Sequence, residues 1–233
     1  MGQLWDTLVA DVDKIVRVDN WEVSDGTVVP SPENIGLGNR GVRLDAVVLY
    51  ADLVDSTGLV SNYKDTFAAE VHKCYLSCAC KIIKNLGGTI VGFDGDRVMG
   101  IYVGESKNTS AMKSALRINA AVIEIINPKL QAVWKNDYTM RQVVGIDSGK
   151  LLVAQTGVRG DNDLVWVGAA ANYAAKLCNL RVDNYASWCT QAVFDAAHEE
   201  AKFSDGKPMW EARTWDAEGG KRIYRSSWHW AGF

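Results

Sequence analysis

Residues 89–103 read Thr89-Ile90-Val91-Gly92-Phe93-Asp94-Gly95-Asp96-Arg97-Val98-Met99-Gly100-Ile101-Tyr102-Val103. Two apolar runs flank the dipeptide Asp94-Gly95. That arrangement predicts a β-hairpin, because glycine accepts the positive φ that a tight hairpin turn requires. Asp96 follows at once, so the hairpin carries acid at its tip. Upstream, Ala46-Val47-Val48-Leu49-Tyr50-Ala51 reads as another strand and ends in Asp52, with Asp55 close behind. Two strands that end in carboxylates can bring them to one spot. A pair of carboxylates with little else is how proteins hold Mg²⁺ or Mn²⁺ against a triphosphate. Asp52 and Asp96 are therefore the candidate metal pair. The plainer alternative is that Asp96 serves the turn and Asp52 ends a strand. Asp55 and Asp94 are nearby competitors, Asp94 with a turn role and Asp55 with a capping role.

Working outward, residues 61–86 carry Phe67, Val71, Tyr75, Cys78, Ile82 and Leu86 on one helical face, and Gly87-Gly88 stops that helix. A second helix is expected over residues 109–126, ended by Asn127-Pro128. Residues 142–146 and 151–154 read as a strand pair around Asp147-Ser148-Gly149, and a last helix covers residues 169–180. The order is β-α-β-β-α-β, the split ferredoxin-like unit of an α+β fold. It has additions at both ends. Residues 1–18 have helical spacing in Leu4, Trp5, Leu8, Val9, Val12, Ile15 and Val16, and residues 22–44 are a loop rich in Gly, Pro and Asn. The expected division is an N-terminal helix-and-loop extension, 1–42, and the main domain, 43–233. Near the end, Trp210, Trp215, Trp228 and Trp230 read as packing.

At 233 residues the chain is one large domain or a domain with an extension, and its hydrophobic content of 48% is enough to bury a core. The formal net charge is −3 and the pI about 5.7. No block of like charges appears, so charge gives no support to a nucleic-acid or acidic-lipid surface. The five cysteines lack histidines at zinc-like spacing and read as small buried residues of a reduced compartment. The start has no basic region followed by an apolar one, and no stretch reaches the length of a membrane span. The expectation is a cytoplasmic protein with no membrane partner.

Asn172 and Lys176 lie four apart in the last helix and so share a face. An amide and a cation there can orient a ribose and neutralise a pentavalent phosphate. An exposed polar face is the competing reading.

Three segments carry a resemblance: 48–57 (Val48-Leu49-Tyr50-Ala51-Asp52-Leu53-Val54-Asp55-Ser56-Thr57), 93–99 (Phe93-Asp94-Gly95-Asp96-Arg97-Val98-Met99), and Val165-Trp166-Val167-Gly168 continuing to Asn172-Tyr173-Ala174-Ala175-Lys176-Leu177. In this order and spacing they resemble the catalytic domain of class III nucleotidyl cyclases. The match covers about residues 43–180 and continues more weakly to about 225. The resemblance implies two Mg²⁺ or Mn²⁺ ions per site, held by Asp52, Asp96 and the Leu53 carbonyl. It implies in-line attack of the ribose 3′-oxygen on the α-phosphate, with Asn172 orienting the ribose and Lys176 stabilising the transition state. It also implies a homodimer with two sites, the metal pair from one chain and Asn172 and Lys176 from the other.

The departures bear on the base. Purine cyclases usually place Lys or Glu four residues before the second metal Asp; Gly92 stands there. The other base-reading position is Val165. A polar base edge left unpaired costs roughly 1–3 kcal/mol per group, so a purine would be poorly read. Tyr50 adds bulk that suits a smaller ring, and Arg97 is placed to touch base or phosphate. Lys176 stands where Arg is commoner and lacks its bidentate fork. With Val28-Val29-Pro30-Ser31-Pro32 and Asn162-Asp163-Leu164-Val165-Trp166-Val167-Gly168, the whole pattern resembles the pyrimidine cyclases of the Pycsar antiphage system. That resemblance implies a bacterial enzyme that makes cyclic UMP or cyclic CMP on infection, the product activating a separate effector. UTP is expected over CTP because the sequence offers no evident carboxylate to accept from a cytosine amine. The alternatives are a purine cyclase with an altered base pocket and a non-catalytic nucleotide sensor.

Overall fold

The computed structural model describes residues 2–17, 20–158 and 160–230. Helix α1 (Gln3–Ile15) leads to strand β1 (Glu22–Asp25), a single helical turn α2 (Pro32–Ile35) and the long strand β2 (Arg40–Leu53). Helices α3 (Ser56–Asn62) and α4 (Asp65–Asn85) follow, then the hairpin β3 (Thr89–Asp94) and β4 (Arg97–Tyr102), and α5 (Lys107–Ala120). A wide π turn (Ala121–Ile126) joins α5 to α6 (Asn127–Trp134). The second half runs β5 (Gln142–Val158), β6 (Asp161–Val167), α7 (Ala169–Cys178), β7 (Ser187–Thr190) and α8 (Gln191–Ala196). It ends with the small hairpin β8 (Phe203–Ser204) and β9 (Lys207–Pro208), then β10 (Glu211–Trp215) and β11 (Lys221–Ser226).

One sheet organises these elements in the order β10-β11-β7-β5-β2-β4-β3, with β1 beside β2 and β6 beside β5. The inner run β5-β2-β4-β3 is the strand order of the ferredoxin-like unit expected from the sequence, with α4 and α5 as its crossovers. Successive residues of a strand point to opposite faces, and β2 is apolar on both. Val47, Leu49, Ala51 and Leu53 join the core under α4 and α5, while Ala46 and Val48 join the one under α7. A strand covered on both faces needs an uninterrupted apolar run, which is what residues 46–51 supply. The same alternation puts Tyr50 and Asp52 on the α7 side.

β5 differs from the expected strand pair. It runs unbroken through Asp147-Ser148-Gly149, and Asp147, Ser148 and Gly149 pair with Val48, Val47 and Ala46 of β2. Gly149 has no positive φ, so nothing turns the chain there. Asp147 is buried and accepts a hydrogen bond from the Thr190 hydroxyl. Asn127-Pro128 does not end the second helix either. The Asn127 N–H reaches back five residues to the Val122 carbonyl, and this wide turn carries the chain past Pro128, which has no N–H to give. The Asn127 side chain then bonds both ways to the Met140 backbone, at 3.0 and 2.8 Å. The segment read as a loop contributes β1, in parallel register with residues 40–43. The helix expected over 61–86 is α4, starting four residues later, and the short α3 that precedes it is not among the expected elements.

α1 buries none of its residues, and Leu4, Trp5, Leu8, Val12 and Ile15 are all more than half exposed. Trp210 and Trp215 are buried, whereas Trp228 and Trp230 pack at the edge of the α4–α5 core. Among the described residues, no helix is long and apolar enough to cross a membrane.

Gly145 sets the distance between α7 and the sheet. A Cβ there would collide with the Ala174 carbonyl and the Cys178 N–H, and would lie 3.0 Å from the Leu177 carbonyl carbon. All three are backbone atoms, so no rotamer change relieves the clash. Gly145→Ala is expected to cost about 3 kcal/mol, at the upper end for overpacking. Urea unfolding of the variant beside the parent measures it; an unchanged midpoint would contradict the close packing.

Candidate active site

Asp52 lies one residue from the end of β2, buried to 8% exposure. Burial raises its pKa, and the nearby Asp96 carboxylate raises it further; Arg181 and Arg97 offset part of that. The local charge is thus unfavourably negative, a situation a cation relieves. Asp96 sits in the two-residue turn of the β3–β4 hairpin, where Gly95 takes φ +61°. Its Oδ2 is buried and has no hydrogen-bond partner among the described residues. The two competing carboxylates are taken up locally. Asp55, itself left-handed, caps α3 by accepting the Gly58 N–H at 3.2 Å, and Asp94 pairs with Arg97. That leaves Asp52 and Asp96, close enough for the Asp96 charge to act on Asp52.

Two carboxylates and a backbone carbonyl are hard oxygen donors, the kind Mg²⁺ and Mn²⁺ take. The orphaned Asp96 oxygen and the raised Asp52 pKa fit a cation between them. Among the described residues, no group of three or more His, Cys, Asp or Glu gathers for a metal. Any ion held here therefore completes its shell with further oxygens, from water in the free protein and from substrate phosphates in the complex.

A residue that sequence spacing does not single out occupies this ligand set. Arg181, three residues past α7, donates through Nη2 to Asp52 Oδ2 at 2.8 Å and through Nη1 to the Leu53 carbonyl at 2.7 Å. It is more than 120 residues away in the chain, and only the close approach of α7 to β2 and β5 brings it there.

All four expected base-contact residues line one open groove of about 480 Å³: Tyr50, Gly92, Arg97 and Val165. Asn172 lines it too; Asp52, Asp96 and Lys176 do not. A one-residue register shift between Ile90 and Gly92 bends β3 at the groove wall. The Arg97 guanidinium lies 5.2 Å from the Tyr50 ring centroid, within cation–π range. Burial raises the Tyr50 pKa, partly countered by Arg97. A side chain at Gly92 would meet nothing within 4 Å, so the open space there is not a demand of packing. Two donors at the groove, Arg97 Nε and Trp166 Nε1, are buried with no partner among the described residues.

One premise of the sequence reading is corrected here. The groove does contain carboxylates: Asp94, paired with Arg97, and Asp163, which accepts the Leu164 N–H at 2.7 Å. The absence of an acid to meet a cytosine amine therefore no longer argues for UTP.

On α7, Asn172 is exposed, and Lys176 is paired with Glu218 at 2.6 Å. Glu218 is a second residue the sequence did not indicate. Lys221 donates to the Tyr173 hydroxyl at 2.6 Å, beside the same helix.

No protein-family model matches the chain. It is 47% identical over 213 residues to a uridylate cyclase of Xanthomonas perforans, covering 91% of each protein. It is 45% identical over 212 residues to a uridylate cyclase of Burkholderia cepacia, covering 90% of this chain and 91% of that one. In structure it is similar to the guanylyl cyclase Cya2, with a TM-score of 0.70 and 18% identity over 83% of this chain and 96% of that one.

Proposed function

The chain belongs to the uridylate cyclase family, a nucleotidyl cyclase with the class III fold, and from that premise we propose that it converts UTP to 3′,5′-cyclic UMP and pyrophosphate. The observation that carries the base assignment is the groove. It is lined by Tyr50, Gly92, Arg97, Val165 and Asn172, with no Lys or Glu at the Gly92 position to read a purine edge. Uracil offers carbonyl oxygens at positions 2 and 4. Cytosine carries an amine at position 4, and a donor facing a donor leaves both unpaired. With the carboxylate argument gone, the relatives' activity supports UTP over CTP.

In this reading Asp52, the Leu53 carbonyl and Asp96 hold two Mg²⁺ or Mn²⁺ ions. When bound, these supply activation of the ribose 3′-hydroxyl and charge neutralisation at the leaving pyrophosphate. The 3′-oxygen–phosphorus bond forms as the α–β bridging bond breaks, and the hydroxyl proton is lost to solvent. Asn172 fixes the ribose from the groove wall. Lys176 leaves Glu218 to meet the charge that develops at the α-phosphate. Tyr50 limits the groove to a single ring, with Arg97 held against it.

Asp52 and Asp96 are not among the groove's lining residues, which supports a homodimer in which one protomer's groove faces its partner's Asp52 and Asp96. Residues 43–233 are the catalytic domain in this proposal and 1–42 an extension. The setting is the bacterial cytoplasm, where the cyclic UMP produced activates an antiphage effector. The test is incubation with Mn²⁺ and each of ATP, GTP, CTP and UTP, with products identified by mass spectrometry. Cyclic UMP as the main product is expected; cyclic CMP or a cyclic purine nucleotide would overturn the base assignment.

A further consequence concerns Arg97. Arg97→Met keeps much of the side chain's bulk and removes its donors. It is expected to lower kcat/KM for UTP by about 10- to 100-fold, the value of one to two hydrogen bonds from a charged group. Steady-state kinetics on UTP and CTP reads it, and an equal loss on both would place Arg97 on phosphate rather than base.

A further inference from the structure

Arg181 is bound to the same two oxygens that Asp52 and Leu53 offer to a divalent ion. Its fork spans them at 2.8 and 2.7 Å. We propose that Arg181 is the resident cation of this ligand set and that a divalent ion enters only as the guanidinium leaves. The inference rests on reading Asp52, Leu53 and Asp96 as the metal ligands.

Three observations converge on it. First, the two donors engage a side-chain carboxylate and a backbone carbonyl from consecutive residues, a pairing that suits a planar fork. The ion and the guanidinium therefore compete for the same lone pairs, and as like charges a few ångströms apart they repel. Second, Arg181 is the more exposed partner, its side chain 34% accessible against 12% for Asp52. The Arg181 side chain therefore has the wider opening to water of the two. Third, an oxygen of Asp96, whose charge reaches Asp52, has no partner among the described residues, so Arg181 neutralises only half of the acidic pair. A singly charged fork on two of three donors is a placeholder that a doubly charged ion, reaching all three, displaces.

Arg181 also lies just beyond the helix that carries Asn172 and Lys176. Its release frees the chain segment that follows α7 from β2. Arrival of the ion is thereby coupled to the end of α7, whose Asn172 and Lys176 serve the second site of the proposed dimer. Arg181 is a positioning residue, acting through Asp52 and Leu53 and not on substrate.

The experiment is Mn²⁺ binding to the full, nucleotide-free chain by electron paramagnetic resonance, comparing the parent with Arg181→Gln and Asp52→Asn. If Arg181 competes with the ion, Arg181→Gln binds Mn²⁺ about tenfold more tightly, within the usual range of coupling between two binding events. If Arg181 merely braces the carboxylate, the same variant binds unchanged or more weakly, and the proposal is overturned. Asp52→Asn separates the two levels. Its loss of Mn²⁺ binding keeps the metal reading, whatever Arg181→Gln does. Binding equal to the parent removes that reading and this proposal together. Should Arg181→Gln not fold, Arg181→Lys serves, because one ammonium does not span both oxygens as the fork does; a smaller gain in affinity supports the proposal, and no gain overturns it.

Discussion

Asp52→Asn is expected to lower cyclic UMP formation by about a thousandfold or more, with the fold intact. A divalent ion at a transferring phosphoryl group supplies several kcal/mol of transition-state stabilisation, and each 1.36 kcal/mol is a factor of ten in rate. The amide is nearly isosteric with the carboxylate, so packing is preserved, but it carries no negative charge and is a poor ligand for Mg²⁺ or Mn²⁺. Asp52 is buried beside Asp96, which already raises its pKa. Neutralising it therefore relieves repulsion in the metal-free protein, and its thermal midpoint should hold or rise. Turnover of UTP with Mn²⁺, read by mass spectrometry alongside a thermal melt, measures both. Loss of activity with a collapsed melt would make Asp52 a structural residue, and retained activity would remove the metal assignment.

The second large effect is complementation between two inactive proteins. Asp52→Asn removes a proposed metal ligand, and Asn172→Ala removes the proposed ribose contact from the groove wall, whose lining includes neither Asp52 nor Asp96. If each site takes its carboxylates from one protomer and its groove from the other, a heterodimer of the two variants concentrates both defects in one site and leaves the second whole. In an equimolar, fully exchanged mixture half the dimers are mixed, each with one good site of two. Activity should then recover to about a quarter of the parent's from near zero, as two-fold symmetry requires. Mixing followed by the same assay decides it. Activity that stays at the level of the separate variants would place each complete site within a single chain.

Much of the fold was legible from local patterns. The hairpin at Asp94-Gly95 is where the turn chemistry puts it, and the inner strand order follows the expected β-α-β-β-α-β sequence of elements. The misreadings came from residues with two uses. Asp147-Ser148-Gly149 has turn composition, but Asp147 spends its polarity inside the sheet on Thr190, forty-three residues away. Pro128 is a helix breaker by local rule, and the π turn ahead of it removes the need for its missing N–H. Neither Thr190 nor the wide turn leaves a mark in nearby sequence.

What the amino-acid order determined by itself is where the candidate groups sit on their elements: Asp52 at a strand end, Asp96 in a hairpin turn, Asn172 and Lys176 on one helix face. These follow from short-range rules, turn geometry and helical and strand periodicity, that act within a few residues. Tertiary structure alone decided what those groups touch. Arg181 on Asp52 and Leu53, Glu218 on Lys176, Asp163 in the groove and the shared surface of Tyr50, Arg97 and Asn172 all depend on α7 lying flat on β5, an approach that Gly145 permits by having no side chain. Charge and hydrogen bonding at such contacts depend on distance in space, and the separation of residues along the chain carries no record of it.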